Sequence, residues 1–171
     1  IMEFGALWCT PKLPNCAACF FANRCVALVS GWVDRLPVKQ NKTKTINRYF
    51  NYFYVHSGEY TYIHKRTSND IWRNLFELPL IETSDSVGLE DLIASAAFQN
   101  WIAEGETPTI KTIRQEVKHV LSHRVIYTNF YEIVVPEDTR SFGTYLRIRK
   151  SDLDQYAVSR LVESLLADCN Y

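Results

Sequence analysis

The chain of 171 residues has no net charge: its 19 Lys and Arg are matched by 19 Asp and Glu. That balance argues against a general nucleic-acid binder, which draws its affinity from an overall excess of Lys and Arg. No apolar run approaches the roughly 18 residues of a membrane-spanning helix, so no membrane partner is expected. No basic n-region opens the sequence, so no signal peptide is visible and secretion is not expected. Internal repeats and low-complexity tracts are also missing. Ile stands at position 1, where an ordinary gene product has Met, and the sequence reads as a fragment or a processed product.

What is present suffices for a core. Hydrophobic residues make up 47% of the chain and aromatics 13%, enough for one large domain or a small module followed by a domain. The charge is unevenly spread. Residues 1–60 hold seven Lys or Arg against three Asp or Glu, a balance of +4, and the remainder is −4. The basic excess lies at a cysteine cluster and in the segment after it.

Cys9, Cys16, Cys19 and Cys25 follow the pattern C-x6-C-x2-C-x5-C within 17 residues. Four soft thiolates on one tight loop suit a single metal centre, and a [4Fe–4S] cluster is the first reading. A tetrahedral Zn²⁺ site is the alternative, although zinc sites usually pair two short knuckles and only Cys16 and Cys19 make one here. Either centre would hold the loop at residues 10–13 rigid and carry Lys12 outward. There Lys12 either meets a phosphate or stays a solvated lysine. With no secretory signal, the odd count of five cysteines argues against a disulfide framework. Cys169 is left over and is expected to pack as a small apolar residue.

Three segments follow from composition. Residues 1–29 form the cysteine module, with the end of a helix up to Trp8 and a short helix or loop from Phe20 to Val29. Residues 30–47 read as a linker carrying Lys39, Lys42 and Lys44, with Arg48 just beyond it. Residues 48–171 read as an α+β domain, a mixed sheet with packed helices. Its expected parts are two strands joined by a turn at Gly58, and a strand over 71–81 interrupted by Pro79 with Trp72 and Phe76 on one face and Phe76 in the core. Then come a helix over Gly88–Ala103, strands over 111–121, 124–135 and 144–148, a short turn capped at Ser151 or Asp152, and a helix over Ser159–Cys169.

The cysteine spacing resembles the cluster loop of the endonuclease III and MutY branch of DNA glycosylases, as do Met2, Gly5, Ala6 and Pro14 around it. Trp72-Arg73-Asn74-Leu75-Phe76-Glu77-Leu78-Pro79 resembles the W-x-G-L-W-E-x-P stretch of the MutY-type C-terminal domain, with Asn74 in place of Gly and Phe76 in place of Trp. That domain is similar in fold to the Nudix hydrolases. His119-Val120-Leu121-Ser122-His123 is similar to the H-x-F-S-H loop that contacts the oxidised guanine in this family, with Leu121 in place of Phe. Two strand-end histidines in ordinary hydrogen bonds are the plainer reading of that segment.

The resemblance implies the C-terminal portion of a MutY-type adenine DNA glycosylase. It implies a cluster loop at 1–29, a basic linker at 30–47 and a Nudix-like lesion-recognition domain at 48–171. The parent would excise adenine mispaired with 8-oxoguanine, flipping the adenine and protonating it with a carboxylic acid. Its partners would be lesion-bearing duplex DNA and its own N-terminal glycosylase domain, in the bacterial cytoplasm at the nucleoid. His119, Leu121, Ser122, His123 and Lys12 would contact DNA. A hydroxyl both donates and accepts, so Ser122 suits the N7–H that 8-oxoguanine has and guanine lacks. The catalytic Glu and Asp of the family would lie upstream, so this portion is expected to be inactive alone. The Mg²⁺-holding R-E-x-x-E-E of a Nudix hydrolase is missing; the central helix offers only Glu90 and Asp91. Two rivals stand beside this reading: a Nudix phosphohydrolase, disfavoured by those missing glutamates, and a zinc-stapled DNA-binding module.

Overall fold

The computed structural model describes residues 2–10, 12–36, 38 and 44–169. Lys39 and Lys42, two of the expected linker's cations, lie outside them. The chain divides into two compact units, residues 1–44 and 45–171.

The smaller unit is built from short pieces: α1 (Met2–Trp8), a 3-10 turn at Ala22–Arg24, α2 (Val26–Val29) and a 3-10 turn at Val33–Arg35. Phe4 anchors it, stacking on Trp8 one turn later and meeting Phe21 edge-on at 5.1 Å. None of its described residues is fully buried, and Met2, Leu13, Phe20 and Val29 are largely exposed.

The larger unit centres on β1 (Ile46–His56). Ile46 and Asn47, expected in the linker, are its first two residues. Parallel pairing with β6 (Arg124–Val134) runs from Ile46↔Arg124 to His56↔Val134. β4 (Leu80–Thr83) flanks β1 on its other side, and β5 (Thr109–Val120) lies beyond β6, giving the order β4-β1-β6-β5. Every residue from Phe50 to Val55 is buried, so β1 is covered on both faces. Phe50, Tyr52 and Tyr54 point into one core with Ile126, Phe130 and the inner side of α5 (Arg160–Leu166). Phe53 and Val55 point into the other, with Tyr131, Ile133, Leu92 and Phe98. The helix expected over Ser159–Cys169 is α5, which ends at Leu166; Ser159 caps it, its Oγ accepting from the Val162 N–H at 3.3 Å. Cys169 packs against the first core, where burial pushes its thiol up to about 11.

The expected Gly58 turn is a two-residue hairpin. Gly58 has φ +58°, and a Cβ there would meet the Glu137 side chain at 2.8 Å. The turn leads into β2 (Tyr60–Lys65), the middle of a second antiparallel sheet between β3 (Phe76–Glu77) and β7 (Leu146–Arg149).

Two expected elements come out differently. The helix over Gly88–Ala103 is two short ones, α3 (Leu89–Ala94) and α4 (Ala96–Gln99). Ser95 breaks it: its ψ is +146°, and its Oγ donates to Leu92 O at 2.6 Å and accepts from the Phe98 N–H at 3.3 Å. Serine competes for the backbone, so one residue ends the first helix and caps the second. The strand expected over 71–81 is mostly loop. Trp72 and Asn74 have φ +58° and +70°, so Trp72 and Phe76 do not share a strand face. Phe76 is only half-buried, edge-on to Tyr156 at 4.9 Å, while Leu78 is fully buried. Asn74, where the MutY-type pattern has Gly, explains itself: asparagine is the next most tolerant residue of positive φ.

Candidate nucleic-acid interface and thiol site

β5 and β6 close on a tight turn, with Val120 opposite Val125. The Leu121 N–H donates to Arg124 O at 2.8 Å, and the Ile46 N–H donates to His123 O at 3.1 Å. The turn is therefore pinned by its own hairpin and by the first residue of β1. Its four candidate residues divide into two kinds. Ser122 and His123 are exposed at the tip. Leu121 is half-buried and packs on the first core, and His119 is half-buried with its ring 5.9 Å from that of Trp72. The second pair supports what the first presents.

The loop at 66–75 forms a buttress beside the turn. The Arg66 N–H donates to Leu75 O and the Asn74 N–H to Arg66 O, closing the loop on itself. Asp70 gathers three guanidinium groups. Arg48 Nη1 donates to its Oδ2 at 2.6 Å, Arg66 Nη2 donates to the same oxygen at 3.0 Å, and Arg124 Nη2 lies 3.4 Å from Oδ1. Arg124 directly follows the turn, so Asp70 ties the turn to β1 and to the loop. Burial pushes the Asp70 carboxyl up, but the Ile71 N–H and the guanidinium groups of Arg48 and Arg124 outweigh it and hold it below its ordinary value. Beneath the loop, Glu77 is almost wholly buried and accepts from Arg66 Nη1 at 2.8 Å and from the Tyr52 hydroxyl at 2.9 Å. Burial, then the Glu77 charge, raises the Tyr52 phenol well above its ordinary range. Sequence reasoning missed Asp70, Arg66 and Arg124. They meet through strand register and a loop closure, neither of which has a local pattern; the nearest signal was the W-to-P motif, which begins just after Asp70.

In the smaller unit all four clustered cysteines are free thiols. Cys9, Cys16 and Cys25 line one largely apolar cavity of about 510 Å³, with Gly5, Pro14 and Val33. Cys19 sits beside it through the Cys19 N–H bond to Cys16 O at 3.2 Å. The donor set is chemically soft, the ligand type a thiolate-held centre needs, and three of its members line one cavity. Among the described residues no three His, Cys, Asp or Glu side chains stand close enough to hold a single ion. Lys12 is exposed, its carbonyl accepting from Thr10 Oγ1 at 3.0 Å. Among the described residues no helix is long and apolar enough to cross a membrane.

Known proteins place this architecture. The solved C-terminal domain of mouse MUTYH, crystallised with human PCNA, superposes with a TM-score of 0.55, covering 71% of this chain and 86% of that one at 12% identity. The likeness is one of fold, and it agrees with the mixed-sheet α+β reading. An adenine DNA glycosylase of Buchnera aphidicola subsp. Schizaphis graminum is 33% identical over 84 residues, 48% of this chain and 24% of that protein. One from the subspecies Baizongia pistaciae is 26% identical over 137 residues, 79% of this chain and 36% of that protein. The chain thus spans about a third or less of these relatives' length. The NUDIX domain family matches residues 51–168. The chain belongs to the NUDIX domain family, in a form similar in sequence to part of the adenine DNA glycosylases.

Proposed function

We propose that this chain is the C-terminal part of an adenine DNA glycosylase that excises adenine mispaired with 8-oxoguanine, and that its larger unit reads the lesion. The observation that carries the reading is the Ser122–His123 tip, exposed on a turn that is pinned by β1 and backed by Trp72 and Asp70. A rigid, exposed hydroxyl suits discrimination of a base edge, because its geometry is set before the DNA arrives. Ser122 would accept from N7–H of 8-oxoguanine, a donor that guanine lacks. His123 would contact the adjacent backbone, and His119 and Leu121 would hold the turn in place. Excision itself belongs to carboxylates of an upstream glycosylase domain.

Cys9, Cys16, Cys19 and Cys25 would hold a [4Fe–4S] cluster, which supplies rigidity rather than an open coordination site. The exposed apolar residues Met2, Phe20 and Val29 suit burial against the glycosylase domain. Lys12 would meet a DNA phosphate. The binding is expected in the cytoplasm of a bacterium, on damaged duplex.

Fluorescence anisotropy with duplexes bearing 8-oxoguanine·A and G·A tests the reading. The chain should prefer the lesion duplex. Ser122→Ala should remove about 1–3 kcal/mol of that preference with little change in affinity for G·A. Lys12→Ala should weaken both duplexes alike and lower the salt slope by about one charge. An undiminished preference in Ser122→Ala would make the turn structural and end the proposal.

A further inference from the structure

The two faces of the main sheet are unequally covered. One packs under α5. On the other, α3 and α4 cover only the end that carries Phe53, Val55, Tyr131 and Ile133. At the end nearer the Ser122 turn, β1 and β6 leave Tyr49, Asn51, Tyr127 and Asn129 around a cavity of about 330 Å³, bordered from β5 by Glu116 and Lys118.

This cavity has a built floor. Tyr49 and Tyr127 are register partners whose rings stack at 5.4 Å and 18°. Asn51 is only 2% exposed; its Nδ2 donates to Ile81 O, and its Oδ1 accepts from Asn129 Nδ2 at 3.0 Å. Asn129 Oδ1 in turn accepts from the Glu116 N–H at 3.0 Å. Glu116 has φ +54° and sits where β5 slips register between Arg114 and Val117. A non-glycine residue in that conformation is strained, and bulges re-aim side chains beside functional sites. Here a two-asparagine ladder holds the strained residue at the cavity's edge.

We infer that this cavity binds the guanine base of a nucleotide. The volume lies at the small end of ligand sites, so it suits one base. Stacked tyrosines provide a π surface that any base can use. Glu116 supplies the choice, because a carboxylate only accepts hydrogen bonds. Guanine alone offers two adjacent donors on its pairing edge, N1–H and the N2 amine. Adenine and cytosine put a ring acceptor beside their amine, and thymine flanks its single N–H with carbonyls. Lys118, opposite Tyr127 in the ladder, is a compact positive charge for the attached phosphate. The guanine comes either from a free mononucleotide or from an unpaired residue of a DNA strand. The inference does not depend on Ser122 reading a lesion.

Calorimetric titration of the full chain with GMP, AMP, guanosine and a six-nucleotide single strand of thymines with one guanine tests it. GMP should bind saturably and AMP about tenfold more weakly, the discrimination expected of one paired base edge. Glu116→Gln should bring the two within about twofold. Lys118→Ala should weaken GMP but not guanosine. If the single strand competes with GMP, the source is a strand; if it does not, the source is a free nucleotide. Equal binding of GMP and AMP by the wild-type chain, no saturable binding of GMP or the strand, or a preference unchanged in Glu116→Gln would each overturn the inference. Glu116 is exposed, so that variant keeps the test decisive even if Tyr127→Leu, expected to weaken every base, does not fold.

Discussion

The indole of Trp72 lies against the imidazole of His119, ring centroids 5.9 Å apart and planes inclined at 59°. Trp72 also meets Phe50 of the first core edge-on at 6.2 Å. One side chain therefore links the core to the strand end that leads into the Ser122 turn. Trp72→Ala should cost about 2 kcal/mol, less than the 3–5 of a fully buried tryptophan because this one is half-buried. Urea unfolding reads that loss. Amide exchange should also quicken at Leu121 and Arg124 more than in β1. Unchanged exchange there would mean that the indole supports the core and not the turn.

Asp70 gives the same support an acid limit. Its carboxyl is held below the ordinary value, so the folded state binds its proton less readily than the unfolded chain does. The resulting stability is fully present above the unfolded value of about 4 and is lost as pH falls through the lowered folded value. Asp70→Asn should cost about 1–3 kcal/mol at pH 7, the usual size of hydrogen bonds to charged groups. The difference between wild type and variant should shrink as pH falls below about 4. A difference that stays constant with pH would show that the carboxylate charge is not what holds the three arginines.

Much of this arrangement was legible in the sequence. Alternation in 49–63 and the β-branched density of 111–135 locate the strands, and Ser159 announces the last helix. The exposed tip at Ser122 and His123 follows from a short gap between two such runs. Other parts were not legible because their causes are not local. Ser95 looks like one polar residue on a helical face, and only its two bonds to Leu92 and Phe98 turn it into a break. The left-handed conformations at Trp72 and Asn74 are fixed by the closure of Arg66 on Leu75. Parallel register brings Tyr49 to Tyr127 across 78 positions, and no pattern within either strand predicts that pair.

The same loop closure separates two neighbouring apolar residues. Leu78 is fully buried in the first core, while Phe76 is half-buried against Tyr156 and Lys65. Leu78→Ala should cost about 3–4 kcal/mol and Phe76→Ala about 2, although phenylalanine is the larger side chain. Equilibrium denaturation of both variants checks the order. A larger loss at Phe76 would place that ring in the core after all.

The thiol unit offers the clearest chemical test. Three thiols line one cavity, no described residue of the unit is buried, and many of its large apolar side chains are exposed. Such a unit draws little stability from burial, so a metal centre would be its main cross-link. Anaerobically purified protein should therefore be brown, absorb near 400 nm as a [4Fe–4S] protein does, and contain about four irons per chain. A colourless protein with one zinc would favour the alternative that the spacing leaves open. Changing Cys9, Cys16, Cys19 or Cys25 singly to Ser should each remove most of the metal. Cys169→Ser should leave it in place, because that thiol belongs to the other unit's core. Proteolysis should then cut the smaller unit first in the four variants and spare residues 45–171, which have cores of their own. Retention of metal in all four variants, or its loss only in Cys169→Ser, would remove the metal centre from this loop.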